Sequence, residues 1–540
     1  MGKNASPRNS GAFWIFLSWT SLFLIVGMMA VLGILICWNS FNALWPNPVE
    51  RVRLDDGTVF LGFPVNDDIS PDGRARLQFK VGNRELNSGA DFRWVFADAI
   101  AERDRPREAA VVERMENGVF LGLPAANGTA APESPESLAQ RLDAYRARWN
   151  AECEPLRRRL AELGDAWQRT HLAALKTAYE LGRAPAGSAK AGWETTLRNE
   201  KDREASIKAE SENLMARFNE AKQHFTDERT VFATAAGANI PIQLESIIDV
   251  TYPNALSFAL RVHLFLVNVW NLLTRYPREA NTEGGIFPAL FGTVVLVFLM
   301  AISAFPLGVA AGVYLREYAK DGVLSRTARV AVNNLAGVPS IVYGIFGLGF
   351  FIYGMGGTID ALLYPERVAA GISTFGGGGV IWSSLTLGLL TLPVVIVATE
   401  EALATVPSEI RQGSLALGAT RFQTLWRVVL PMASPGILTG FILAMARAAG
   451  EVAPLMLTGA VKSAHSLPLD ATWPFVHLER KFMHLGFHIH DMGFQSPNVE
   501  ASKPLVYVTA LVLLVLVFVL NVAAISLRRR MRDKYAMKGF

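Results

Sequence analysis

Long apolar runs separate polar stretches along this chain, and six of the runs are long enough to cross a lipid bilayer. An α-helix rises about 1.5 Å per residue, so roughly 20 apolar residues span the ~30 Å hydrocarbon core. The six runs are residues 11–38, 286–315, 335–353, 380–399, 436–457 and 505–527. The pattern predicts an all-α polytopic membrane protein with six transmembrane helices.

The first run follows Lys3 and Arg8 and is too long for the apolar core of a signal peptide. No A-x-A cleavage site follows it, and Ile36 before Cys37 is too large for a lipoprotein signal. We therefore expect residues 1–38 to hold a cytoplasmic N-terminus and a retained transmembrane helix. With only one other cysteine in the sequence, neither a disulfide framework nor a cysteine-based zinc site is expected.

Basic residues follow the second, fourth and sixth runs, and the positive-inside rule assigns these segments to the cytoplasm. The loop of residues 354–379 contains a single basic residue, Arg367. We expect a bacterial inner-membrane protein with both termini, including the tail 531–540, in the cytoplasm. The basic residues are Arg316, Lys320, Arg326, Arg329, Arg411, Arg421, Arg427, Arg528, Arg529, Arg530, Arg532, Lys534 and Lys538.

A polar region, residues 39–285, lies between the first two runs and is large enough to fold as a domain. With both termini inside, we expect it in the periplasm. Its first part contains a repeat, because residues 49–64 and 112–124 share a Val-Glu-Arg start, a turn and a Phe-Leu-Gly sequence. The turns, Asp-Gly and Asn-Gly, favour tight hairpins. We expect a small β module over residues 39–130.

A helical pattern begins at Ser137, breaks at residues 182–188, and resumes with apolar residues such as Leu214 and Phe225. The pattern predicts an antiparallel helical hairpin over residues 134–228, which makes the inserted domain α+β. Two interpretations stay open for this charged hairpin: a rod that spaces or stiffens, and a docking surface. No residue of the insertion identifies a ligand.

Composition narrows the possible functions. The chain is 51% hydrophobic and 19% charged, which agrees with a membrane protein. Its 52 basic and 48 acidic residues leave a net charge of +4, too weak to indicate a nucleic-acid partner. No G-x-x-x-x-G-K-[ST] sequence occurs, so the chain is not itself expected to hydrolyse ATP. We predict no catalytic residue, cofactor or metal site.

A spaced motif follows the fourth run. Gln412-Gly413-Ser414 precedes Gly418 by three intervening residues, and Val428-Val429-Leu430-Pro431 comes nine residues later. The spacing resembles the EAA loop of ABC importer permeases, E-A-A-x3-G-x9-I-x-L-P, in which two short helices joined at the glycine enter a groove of the ATPase. The resemblance implies an ATPase-coupling loop, although glutamine replaces the glutamate. Its residues are Gln412, Gly413, Ser414, Leu417, Gly418, Ala419, Leu430 and Pro431.

A wider resemblance covers roughly residues 284–530. It is carried by the sequences GGIFP (284–288), PLGV (306–309), YLREY (314–318), NLAGVPSIVYG (334–344) and RAAGEVAPL (447–455). Together they resemble the phosphate-importing branch of the type I ABC importer permeases. The resemblance implies a type I permease domain over residues 286–530. It also implies a second permease subunit, a cytoplasmic ATPase dimer and a periplasmic phosphate-binding protein as partners. Val452 departs from the threonine usual in this branch.

Arg447 and Glu451 are candidate pathway residues on physical grounds. Each charge near the bilayer centre costs about 2.5 to 3.5 kcal/mol on insertion scales, so such residues rarely face lipid. Spaced four apart, the two are expected to share one helical face and to pair. One interpretation is a guanidinium that binds phosphate oxygens, held by the carboxylate. The other is a buried ion pair that fixes helix packing.

Further polar candidates are less specific. Ser340 and Tyr343 offer hydroxyls to the pathway, and helix-to-helix hydrogen bonds explain them equally well. Five histidines, His465, His477, His484, His488 and His490, fall in the loop after the fifth run. A zinc site is conceivable there. Their apolar neighbours favour an interfacial helix or a shelf where a soluble partner docks.

Three other functions remain open. The same architecture fits another oxyanion, such as phosphonate, sulfate or molybdate. A membrane sensor or scaffold, whose inserted hairpin detects a ligand, fits the large insertion. A secondary transporter is disfavoured, because its polar sites should be spread over discontinuous helices, and the sequence offers one charged pair.

Overall fold

The computed structural model describes residues 8–535, apart from 88–89, 126–131, 186, 465, 472, 474 and 497–498. Helix α1 (Arg8–Leu44) comes first and carries exposed apolar side chains, with Phe23 79% exposed. Exposure of this kind is normal only where lipid or a partner covers the helix. Because α1 runs on to Leu44, the helix extends six residues beyond the predicted end at residue 38.

The inserted region begins with an antiparallel sheet of five strands in the order β4-β3-β2-β1-β5. The first repeat forms its β1–β2 hairpin, and Gly57 at the turn has a φ of +84°. Phe60 packs edge-on against Phe79 in the sheet core. The strands are β1 (Glu50–Leu54), β2 (Val59–Ile69), β3 (Ala75–Lys80), β4 (Phe92–Phe96) and β5 (Ile100–Asp104).

A second five-stranded sheet has the order β10-β6-β7-β8-β9, and the second repeat forms its β6–β7 hairpin. Its other three strands follow the helical hairpin in the sequence, so the predicted β module of residues 39–130 ends too early. The helices interrupt the sheet between β7 and β8, which hides its continuity along the chain. The strands are β6 (Ala110–Arg114), β7 (Val119–Pro124), β8 (Arg229–Ala233), β9 (Asn239–Gln243) and β10 (Ile247–Thr251).

Two long helices, α2 (Pro135–Arg183) and α3 (Ser188–Thr226), pack against each other and form what we call the arm. With 49 residues at about 1.5 Å each, α2 is roughly 70 Å long. Tyr145 and Phe225 pack edge-on at the base of the arm, in one cluster with Phe120 and Phe232 of the second sheet. The arm is therefore rooted in that sheet and projects from it.

An apolar helix, α4 (Phe258–Thr274), lies near the end of the insertion and was not foreseen in this polar region. Phe265 lies 5.2 Å from Phe41 of α1 between ring centroids, and Asn268 Nδ2 donates to the Leu44 carbonyl at 3.0 Å. Trp270, on the opposite side, is 67% exposed. The short strands β11 (Pro277–Arg278) and β12 (Glu283–Gly284) follow and pair with each other.

The remaining helices form the permease region. They are α5 (Phe287–Val313), α6 (Val323–Leu335), α7 (Ser340–Phe346), α8 (Gly357–Leu363), α9 (Pro365–Ala369), α10 (Val380–Ala404), α11 (Ser408–Ala416), α12 (Arg421–Thr424), α13 (Leu430–Gly450), α14 (Ala453–Thr458), α15 (Leu485–His490) and α16 (Val499–Tyr535). Helices α5, α10 and α13 contribute the buried core, which includes Leu296, Leu387 and Met445.

Six segments of the described chain are long and apolar enough to span a membrane, which confirms the predicted number. They are Phe13–Leu44, Phe287–Tyr318, Ser340–Leu363, Val380–Ala404, Arg421–Gly450 and Val499–Asp533. Two boundaries differ from the prediction in an informative way. The third span begins at Ser340 rather than at residue 335, and the fifth ends at Gly450 rather than at residue 457.

Candidate functional site

Two interruptions in the permease helices meet in the core. Helix α6 ends at Leu335 and α7 begins at Ser340, after Pro339 in an extended conformation. Val338 in this first break and Val452 in the break between α13 and α14 pack against the same buried cluster. Each break adjoins a membrane span, because the third span begins at Ser340 and the fifth ends at Gly450. The two breaks therefore define a candidate translocation site.

Arg447 and Glu451 lie at the second break. Arg447 Nε is 3.5 Å from Glu451 Oε1, and the side chains are 37% and 19% exposed. The prediction that the two share one helical face is wrong, because Glu451 has a ψ of 138° and lies just past the end of α13. Pro454 explains the break, since a proline would clash with the carbonyl of residue i−4, here Gly450.

Tyr343 connects the two sides of the first break. Its hydroxyl donates to the Leu335 carbonyl at 2.7 Å, and its ring is 4% exposed. The ring shares a buried cluster with Ala448, the residue after Arg447. Ser340, the first residue of α7, is half-buried. The structure thus brings Tyr343 and Ser340 to the same pair of breaks as Arg447 and Glu451.

Close backbone packing joins the two breaks. A Cβ added to Gly344 would lie 2.8 Å from Pro454 Cα, so only glycine fits in α7 against α14 at this distance. Nearby, the hydroxyls of Ser383 and Thr458 are hydrogen-bonded at 3.0 Å. The break at residues 336–339 and the exposed Asn334 beside it were not foreseen from the sequence. Pro339 was the available signal, because a residue before proline is biased away from helix.

The predicted coupling loop folds into two short helices. Helix α11 ends at Ala416, Gly418 has a φ of +87°, and α12 begins at Arg421. Thr420 caps α12 by accepting from Gln423 N at 3.2 Å, while Gln423 Oε1 accepts from Thr420 N at 2.9 Å. Across the turn the hydroxyls of Ser414 and Thr424 are 2.9 Å apart. We call residues 408–429 the knob.

The knob presents apolar side chains to solvent. Leu417 is 90% exposed, and Phe422 and Trp426 are each 64% exposed with their rings stacked. Apolar exposure on this scale indicates a surface that a partner covers. Gln412 and Gly413 are also exposed, and Ala419 is half-buried. Leu430 packs beneath the knob, and Pro431 lies in the first turn of α13.

The apolar residues around His484 and His488 belong to the buried core and do not form an exposed interfacial shelf. Leu485 N donates to Thr293 Oγ1 of α5 at 2.9 Å, and Phe482 is fully buried. Burial lowers the pKa of His484 to about 3 and that of His488 to about 4. His465 lies outside the described residues. Among the described residues no group of three His, Cys, Asp or Glu side chains could hold a metal ion.

Comparison with known proteins identifies the class. The family described as binding-protein-dependent transport system inner membrane component matches residues 304–533. A probable ABC transporter permease protein, YqgI of Bacillus subtilis (strain 168), is 33% identical over 248 residues, which cover 45% of this chain and 76% of that protein. The chain therefore belongs to this family of ABC importer permeases, and it is a multi-pass protein of the inner membrane.

A more specific likeness follows within that class. Phosphate transport system permease protein PstA 1 of Mycobacterium tuberculosis (strain CDC 1551 / Oshkosh) is 38% identical over 201 residues, or 37% of this chain. The chain spans 59% of that relative's length. Among solved structures, an inward-facing MetNI methionine ABC transporter has 20% identity and a TM-score of 0.33, covering 45% of this chain and 94% of that one.

Proposed function

We propose that this chain is the membrane permease subunit of an ATP-driven importer of inorganic phosphate. The observation that carries the proposal is the Arg447–Glu451 pair, held at the junction of two helix breaks. Charged residues of membrane spans mark substrate pathways by default, and discontinuous helices are a common way to build such a site. Arg447 lies in the last turn of the fifth span, and Glu451 follows the end of that span directly. The mycobacterial relative, a phosphate transport system permease protein, supports phosphate as the cargo.

Arg447 provides the chemistry that an oxyanion needs. Its planar guanidinium offers several N–H donors that match two oxygens of phosphate at once. Glu451 orients that group and offsets part of its charge, so the anion binds weakly enough to leave. The Tyr343 proton is already donated to Leu335, so we assign Tyr343 a positioning role. Ser340 supplies the nearby hydroxyl in this proposal.

The remaining subunits follow from the family. A second, PstC-like permease completes the pathway, and an ATPase dimer binds the knob through Leu417, Phe422 and Trp426. ATP hydrolysis belongs to those subunits, and this chain performs no covalent chemistry. A periplasmic phosphate-binding protein delivers the anion. In this proposal the knob and both termini lie in the cytoplasm, and the sheets and the arm lie in the periplasm.

The orientation has a direct test. In a chain with Cys37 and Cys153 replaced by serine, Lys208→Cys on the arm should react with a membrane-impermeant maleimide in spheroplasts. Gln412→Cys on the knob should react only after lysis. Both side chains are exposed, so access depends on the side of the membrane. The opposite labelling pattern would overturn the orientation.

Uptake measurements test the substrate. Cells without another high-affinity phosphate system would carry the intact chain, a deletion, Arg447→Ala or Arg447→Lys, and would receive micromolar radiolabelled phosphate. We expect uptake to fall at least tenfold in the deletion and in Arg447→Ala. Arg447→Lys keeps the positive charge but loses the planar guanidinium, so phosphate uptake should be intermediate between the intact chain and Arg447→Ala. Excess sulfate or phosphonate should not compete in cells with the intact chain.

Two outcomes would count against the proposal. Strong competition by sulfate or phosphonate would assign the same architecture to another oxyanion. Uptake that survives removal of the chain would leave the sensor or scaffold function as the better account of the insertion. In that second case, cells whose chain lacks residues 412–418 would also take up phosphate normally.

A further inference from the structure

The arm does not project freely, because it contacts the permease region far from its own base. Helix α2 packs along α9, in the loop that follows the third span. Between them lies a cleft of about 320 Å³ lined by Arg169, Leu172, Ala173, Lys176, Leu363, Tyr364, Glu366 and Arg367. Four of these residues come from the arm, and the other four are Leu363 at the end of the third span and three residues of the loop. The cleft therefore exists only while the arm rests on the permease.

Positive charge dominates the lining of this cleft. Arg169, Lys176 and Arg367 face a single carboxylate, Glu366, which leaves a formal excess of two positive charges. None of the three cations forms an ion pair within the part of the chain that the structure describes. Other arginines of α2 are paired, such as Arg157 and Arg158 with Glu154. The unpaired cations of this stretch of α2 thus converge on the cleft.

Arg367 is held in place by two neighbours in the same loop. Its Nη1 donates to Thr374 Oγ1 at 3.0 Å, and its guanidinium lies 4.6 Å from the ring centroid of Tyr364. Its Nε is buried without a hydrogen-bond partner among the described residues. Fixing the guanidinium beforehand lowers the entropy lost on binding.

We propose that this cleft binds a small oxyanion of the phosphate class, as a second site distinct from Arg447. Two excess positive charges match a phosphate dianion, and the cleft volume is at the lower end for small-molecule sites. Glu366 adds selectivity, because a carboxylate can accept the proton of hydrogen phosphate whereas sulfate has no proton to donate at neutral pH. The inference rests on the proposed function for its choice of phosphate. The cleft itself requires only an oxyanion.

Equilibrium binding of radiolabelled phosphate to the purified importer in nanodiscs tests the site. The binding protein is left out, and every chain carries Arg447→Gln so that the membrane site does not contribute. Arg169→Gln with Lys176→Gln should weaken phosphate binding at least tenfold. Arg198→Gln with Lys201→Gln removes the same charge from exposed positions of α3 that form no ion pair with the described residues, and it should change binding less than twofold. Equal binding in all three proteins would overturn the proposal.

Two further measurements keep the test decisive. The single variant Lys176→Gln leaves Arg169 unchanged and should weaken binding several-fold, so a double variant that fails to fold would not hide the result. Glu366→Gln should reduce the preference for phosphate over sulfate, and an unchanged preference would contradict the role of Glu366. Failure of the proposed function is separable, because cells could lack phosphate uptake while the purified cleft still binds oxyanions. The reverse result, phosphate uptake with no binding in the cleft, would overturn the cleft alone.

Discussion

Arg411, in the first helix of the knob, forms an ion pair with Glu317 at the end of the second span, with Nη1 and Oε1 3.0 Å apart. Arg411 Nη2 also donates to the Leu403 carbonyl at the end of α10. One side chain therefore ties the knob to two membrane-spanning helices. Both charged groups are about four-fifths buried, so solvent screens this pair less than a surface pair.

Breaking this pair should separate ATP hydrolysis from transport. We expect Arg411→Ala and Glu317→Ala each to lower phosphate uptake several-fold, because the knob would no longer move α5 and α10 together. ATPase binding should persist, since the exposed apolar face of the knob is unchanged. The measurement is uptake and ATP hydrolysis in the same reconstituted vesicles. If exchanging the two residues restores no uptake, the pair itself is not the connection.

Gly418 should be essential to the shape of the knob. A non-glycine residue at its φ of +87° costs about 1 to 2 kcal/mol, so Gly418→Ala should tilt α11 against α12 and weaken capture of the ATPase. Gly413→Ala is the matched control, because a Cβ there meets nothing within 4 Å and alanine favours helix. Co-purification of the ATPase with each variant measures the effect. If both variants lose the co-purifying ATPase equally, the positive φ of Gly418 does not determine the shape of the knob.

The number of membrane spans could be read from the sequence because length and apolarity alone set it. The break at Glu451 could not, since residues 436–457 form an unbroken apolar run apart from Arg447 and Glu451. Pro454 ends the helix through a clash four residues earlier, which a hydropathy window does not detect. The pairing of Arg447 with Glu451 was foreseen, although from a helical geometry that the chain does not have.

In the insertion, prediction from sequence fails for a different reason, which is the long sequence separation of the paired segments. Its repeat and its arm have local periodicity, so both could be predicted from short windows. Strand β8 pairs with β7, and β10 pairs with β6, each across more than a hundred residues, and such pairing leaves no local signal. The same holds for the cleft between Lys176 and Arg367, which needs the arm to fold back onto the permease.

Gly344 should tolerate no side chain. Alanine there would place its Cβ 2.8 Å from Pro454 Cα and force α7 away from α14, at a cost of about 1 to 3 kcal/mol. Gly349→Ala is the matched control, because nothing lies within 4 Å of a Cβ at that position. We expect Gly344→Ala to lower the thermal midpoint in nanodiscs and to reduce uptake. Equal thermal midpoints for Gly344→Ala and Gly349→Ala would show that α7 and α14 have room for a side chain at Gly344.

His488 should make the permease sensitive to acid. Both of its ring nitrogens are buried without a hydrogen-bond partner among the described residues, and burial lowers its pKa to about 4. An unfolded histidine has a pKa of about 6.5, so between pH 6.5 and 4 the unfolded chain binds the extra proton. Above pH 6.5 this histidine is neutral in both states and does not change the free energy of unfolding. As the pH falls from 6.5 to about 4, protonation of the unfolded chain lowers the free energy of unfolding by about 1.4 kcal/mol per pH unit.

Thermal unfolding of His488→Leu at pH 7.5 and pH 5 measures this effect. The variant should lose less stability than the parent between the two values, because leucine takes up no proton in the unfolded chain. At pH 7.5 it should be at least as stable as the parent, since an unpartnered buried imidazole is replaced by an apolar side chain. His263→Leu, at an exposed position of α4, should keep the parent's pH dependence. Parallel pH profiles for parent and His488→Leu would mean that this imidazole does not carry the acid sensitivity.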